Sequence, residues 1–219
     1  MNAQRGNVAR SLKAVAAVGT AVVAVGLLPS VAGAQDGHGT SEVQATKAAA
    51  AAKTYTYLSY KKNKKDPSNS RLSLVFVQQI NPDKIRSFTV DSWRAGSGLG
   101  TAKNKIGRDA CVPRVGWLPS GEYRVEKFYN NHVGTVNGIS WLLNDMRCKN
   151  GGKSGTKRTE LFIHSEMKPN GKPGSTESTR WDGNSDYKSL GCIKLKPSDI
   201  RELKGYRSNY PKPTKLYVS

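Results

Sequence analysis

The sequence predicts a mainly β domain carrying one or two short helices, and two observations predict it. Short runs rich in β-branched and aromatic residues, at 72–77, 87–93, 121–129, 139–143, 160–164 and 215–218, are separated by Gly, Pro, Asn and Asp. Only one stretch carries full helix punctuation. Pro197 stands in a first-turn position, Asp199, Ile200 and Leu203 continue the pattern, and Gly205 is the stop.

Residues 1–34 read as a secretory signal. Arg5, Arg10 and Lys13 precede an apolar run over 14–28, then Pro29 and the small-residue cleavage triplet Ala32-Gly33-Ala34. That run is broken by glycines and falls short of the roughly 20 residues a spanning helix needs. The mature chain is therefore expected outside the cytoplasm, with no stable membrane insertion after cleavage. Residues 35–70, with an alanine block and the run Lys61-Lys62-Asn63-Lys64-Lys65, read as a flexible Ala/Lys-rich linker. The lysine run is taken as a solvated tail, adhesion to an anionic surface being the competing reading. Residues 71–219 are left as the folded domain, and a domain of about 150 residues buries roughly 70% of its unfolded surface.

The 219 residues carry 35 Lys and Arg against 16 Asp and Glu, a formal net charge of +19. Because residues 1–34 supply only three of the bases, the excess belongs to the rest of the chain and points to polyanionic surroundings. With 37% hydrophobic residues, the composition excludes a wholly disordered chain and a polytopic membrane protein. The length excludes two large catalytic domains.

Cysteine use narrows the chemistry. Cys111, Cys148 and Cys192 make an odd count, so at most one intramolecular bridge forms and one thiol is left over. The count does not say which. Context does, because Cys192 alone sits in a glycine-containing turn after a serine, Ser189-Leu190-Gly191-Cys192-Ile193, which leaves Cys111 to Cys148 as the expected bridge. The chain lacks His-Glu-x-x-His and Cys-x-x-Cys, so neither a metal nor another cofactor is expected. Gly96-Ser97-Gly98-Leu99-Gly100 lacks dinucleotide spacing and reads as a turn.

What remains is a thiol and an imidazole. A cysteine nucleophile needs thiolate character, which a nearby imidazole can induce, and backbone N–H groups at a glycine turn can hold an oxyanion. Cys192 and His164 could supply that pair, His164 ending the apolar run Leu161-Phe162-Ile163.

The segment Ile163-His164-Ser165, followed by Ser189-Leu190-Gly191-Cys192-Ile193-Lys194-Leu195, resembles the signature of the L,D-transpeptidase catalytic domain. Gly116-Trp117-Leu118-Pro119-Ser120-Gly121-Glu122-Tyr123-Arg124-Val125 is similar to that family's Thr-Pro-x-Gly-x-Tyr-x-Ile stretch, and Leu216-Tyr217-Val218 sits where its last strand is expected. The resemblance implies a β-sandwich and peptidoglycan stem peptides as partners in an anionic cell wall. Cys192 would attack the carbonyl joining the third stem residue to D-Ala, and the thioester would pass to a second stem as a 3-to-3 crosslink. It also implies His164 as general base, Ser165 as its orienting neighbour, Gly191 at the oxyanion turn, and Ser189, Leu190 and Lys194 on the substrate.

Three departures stand out. Leu190 occupies the place of a second family histidine, Lys194 replaces an arginine, and the stretch from His164 to Cys192 is longer than the family norm. The extra length, 169–188, reads either as a substrate lid or as a surface insertion, with Trp181 and Tyr187 exposed. Hydrolysis by the same machinery and a non-catalytic wall-binding module stay open beside transpeptidation. Nucleic-acid binding is not expected.

Overall fold

The structure is a computed structural model, and it describes residues 52–219 apart from 82 and 151–152. The expected signal segment, 1–34, and the first part of the expected linker lie outside the described residues. Among the described residues the class is mainly β, with a single α-helix.

The first strand, β1 (Lys53–Lys61), lies inside the segment read as linker, so the folded domain starts well before residue 71. Its sequence alternates, and Thr56, Leu58 and Tyr60 are buried on one face. All nine β1 residues pair with β2 (Ser70–Asn81), the two being joined through a short 3-10 turn at Pro67–Asn69. The alanine block and the lysine run mask this strand in composition, but its period of two is plain.

β2 pairs in turn with β3 (Lys84–Gly96). β4 (Gly121–His132), β5 (Gly138–Leu143), β8 (Phe162–His164), β9 (Ile193–Leu195) and β10 (Lys215–Val218) complete one sheet with β6 (Met146–Asn150) and β7 (Lys153–Arg158) outside it as a separate pair. The order β1-β10-β4-β5-β8-β9-β3-β2 closes on itself, so the expected sandwich takes the form of a barrel without free sheet ends. Leu58, Leu72, Trp141, Ile163, Ile193 and Leu216 are among the side chains that fill it. The helix α1 (Pro197–Gly205) seals the core with Ile200 and Leu203, and its Glu202 accepts a hydrogen bond from Trp93 Nε1 at 3.0 Å.

Two features of this frame place the site. β8 and β9 run parallel, which demands a long crossover between them, and residues 165–192 supply it. Cys111 and Cys148 form a disulfide with Cα atoms 5.3 Å apart, tying the loop before β4 to β6. Gly155 makes room for the bridge, since a Cβ there would lie 2.6 Å from Cys148 Sγ. A persistent disulfide fits an oxidising compartment. No helix among the described residues is long and apolar enough to cross a membrane.

Candidate active site

The register of the parallel pair sets Ile163 against Ile193 and His164 against Lys194. Alternation then divides the faces. Ile163, Ile193 and Leu195 point into the core, while His164, Lys194 and, one step before β9, Cys192 share the opposite face and open onto one cavity of about 280 Å³.

Cys192 is the free cysteine, and its residue is partly exposed. Its Sγ is turned toward β8, where the Phe162 N–H donates to it at 3.4 Å and the thiol faces the Glu160 carbonyl oxygen at 3.5 Å. No hydrogen bond among the described residues joins it to His164. His164 is buried, and its Nδ1 lies 3.0 Å from the Ser165 carbonyl oxygen. A carbonyl can only accept, so this contact makes Nδ1 the protonated nitrogen and leaves Nε2 as an acceptor.

Electrostatics set the resting state. The protein packed round the sulfur pushes the Cys192 thiol up to about 11, against smaller pulls from the Phe162 N–H, Arg158 and Lys194. Burial likewise drives His164 down to about 3, with Lys194 and His132 adding to the effect and the Ser165 carbonyl opposing it. Thiol and imidazole are therefore both neutral near pH 7. The expectation that the imidazole induces a resting thiolate is not met, because desolvation penalises both charges of the pair.

The turn that carries the cysteine is knotted by Ser189. Its Oγ accepts from the N–H groups of Gly98 and Gly191, each at 3.2 Å, and donates to the Cys192 carbonyl at 2.5 Å. Ser189 therefore shapes the turn, its hydroxyl committed within the protein, and the Gly191 N–H is engaged there too. Gly191 has φ +122, and a Cβ on it would lie 2.1 Å from Arg158 Nη2, so both backbone conformation and space require glycine.

Lys194 is buried and ion-paired with Glu166. Its ammonium is thus spent on a neighbour, unlike the substrate contact expected for it. Burial raises the pKa of Glu166 against the pull of Lys194, and Glu166 Oε2 is buried without a partner. Leu190 is 58% exposed and lines the cavity. In the crossover, Ser178 and Lys188 reach the cavity rim. Tyr187, expected to be exposed, is buried, with the Arg94 guanidinium 4.0 Å from its ring centroid.

Compared with known proteins, the chain matches no protein-family model and no curated protein.

Several residues around the sulfur had no motif to announce them. Arg158, at the end of β7, donates to the carbonyl oxygens of Ala110 at 2.6 Å, Gly116 at 3.2 Å and Leu190 at 3.0 Å. It fastens the disulfide-bonded loop to the cysteine turn. His132 packs on the Phe162 ring with centroids 5.4 Å apart, and its Nδ1 lies 2.6 Å from the Val136 carbonyl. Thr135, Leu190 and Cys192 form a wall, beyond which lies a second cavity of about 270 Å³. Histidine was available as a sequence signal only for His132; the others are ordinary surface residue types brought in by the fold.

Proposed function

We propose that this chain is an exported peptidoglycan L,D-transpeptidase that works through a Cys192 thioester. The observation that carries the reading is the shared face of β8 and β9, where the free thiol and an imidazole with an unprotonated Nε2 open onto one cavity. In this scheme the thiol proton passes to His164 Nε2 as Cys192 Sγ bonds to the carbonyl carbon of the third stem residue. The oxyanion is met by the Cys192 backbone N–H, the Gly191 N–H being held by Ser189 Oγ. The C–N bond to D-Ala then breaks and the imidazolium returns its proton to the leaving amine. An amine of a second stem attacks the thioester along the same path and closes the 3-to-3 crosslink; water in its place gives carboxypeptidation. The signal-like N-terminus, the disulfide and the basic surface support a site of action in the cell wall.

A neutral thiol at rest favours one competing reading, a wall-binding module that keeps the geometry without turnover. Incubating the purified protein with disaccharide tetrapeptide and weighing the products separates the readings. A crosslinked dimer supports transpeptidation, tripeptide alone means hydrolysis, and unchanged tetrapeptide rejects the enzyme. Cys192→Ala should abolish turnover with the fold retained, since the turn is held by Ser189 and not by sulfur.

A further inference from the structure

β3 ends at Gly96, and the turn that follows it lies against the cysteine turn. The Gly98 N–H donates to Ser189 Oγ at 3.2 Å, and the Ser189 N–H donates to the Gly98 carbonyl oxygen at 3.1 Å. Glycine on either side of Ser97 permits this approach. A Cβ at Gly96 would lie 2.2 Å from the Tyr187 carbonyl oxygen, and one at Gly98 would lie 2.7 Å from the Trp117 backbone nitrogen. Ser97 itself is fully buried. Its Oγ accepts from the Leu118 N–H at 2.8 Å and donates to the Gly191 carbonyl oxygen at 3.3 Å.

That carbonyl and the Cys192 N–H belong to one peptide unit, which is planar and trans, so the two bonds point opposite ways. Ser97 holds the oxygen on the buried side. The N–H is thereby turned to the open side, where Cys192 lines the cavities, and no acceptor among the described residues takes it. The preceding peptide unit is held by other partners, its Leu190 carbonyl by Arg158 at 3.0 Å and its Gly191 N–H by Ser189 at 3.2 Å. Between the two planes stands Gly191, whose freedom would otherwise let one rotate against the other. Resting on the proposed function, we infer that Ser97 is a positioning residue for acyl transfer: its hydroxyl fixes the Gly191–Cys192 peptide plane so that the Cys192 N–H meets the oxyanion. Ser97 does not touch the substrate. Its hydrogen bond also polarises the peptide and makes the N–H a stronger donor. A donor aimed in advance needs no reorganisation as charge develops on oxygen.

Ser97→Ala removes the hydroxyl and keeps the glycines beside it. Formation of the Cys192 thioester from disaccharide tetrapeptide, followed by intact-protein mass spectrometry, should slow about tenfold at saturating donor, less than the roughly 10² to 10³ lost when an oxyanion donor is removed outright. Alkylation of Cys192 by iodoacetamide builds no oxyanion and should stay within about twofold of the unmodified protein. Ser97→Thr keeps the hydroxyl and should recover most of the acylation rate. A further readout needs no variant. In the unmodified protein a carbon-13-labelled thioester carbonyl should absorb at lower frequency than the same thioester free in water, because the Cys192 N–H donates to it. An unchanged acylation rate in Ser97→Ala, acylation and alkylation falling together, or an unshifted carbonyl overturns the positioning role and leaves the enzyme standing. Absence of any thioester in the unmodified protein overturns both.

Discussion

The neutral thiol makes a strong prediction about reactivity. Moving a thiol from its ordinary 9.0 to about 11 leaves about a hundredfold less thiolate at pH 7 than an unperturbed cysteine holds. Alkylation of Cys192 by iodoacetamide, followed by mass spectrometry from pH 6 to pH 11, should therefore be slow at neutrality. It should climb about tenfold per pH unit and not level off before about pH 10. His164→Ala should leave that slope in place, because an imidazole held neutral down to about pH 3 lends the thiolate no charge. Acylation by a stem peptide should behave otherwise. There the proton must leave during attack, and losing the base costs about 10² to 10⁴ in rate. The comparison of the two reagents isolates the base from the thiolate. A rate plateau between pH 7 and pH 8, or a loss on His164→Ala confined to neutral pH, would show a preformed thiolate–imidazolium pair and refute the reasoning.

Three further predictions follow from the same packing. His164 is driven from 6.5 to about 3, so its contribution to stability is whole above pH 6.5 and is lost as pH falls toward 3. Chemical denaturation should show a loss of about 3 kcal/mol between pH 6.5 and pH 4 that is absent in His164→Gln, and identical profiles would place the imidazole in water. Reducing the Cys111–Cys148 bridge should cost about 4 kcal/mol by loop entropy for its separation of 37 residues, read as a lower denaturation midpoint; an unchanged midpoint would mean the reduced chain keeps the constraint. Lys194→Met leaves the half-buried Glu166 carboxylate without its partner and should cost about 1–3 kcal/mol, with much of the loss recovered in Lys194→Met/Glu166→Leu; additive losses in the double variant would mean that the pair is not coupled.

The sequence by itself determined the class, the helix and the odd cysteine. Residues 72–77, 87–93, 121–129, 139–143 and 215–218 lie within strands of the structure because alternation and turn residues are local signals. Pro197 and Gly205 bound the helix for the same reason. β1 was equally legible in its period and was hidden only by its flanks. β6 and β7, short and mostly polar, and β9, three residues long, carry too little pattern to be found. The site divides in the same manner. Cys192 and His164 could be picked out by residue type and context, since nucleophile and base are chemical identities. Their placement on one face depends on a parallel register between segments 28 residues apart. The commitments of Ser189 and Lys194 depend on partners from other strands and loops, as does the clamp formed by Arg158. The neutral state of the thiol and imidazole is also tertiary, because a pKa is moved by the water that packing removes and by charges brought close in space, neither of which is written in the order of the residues.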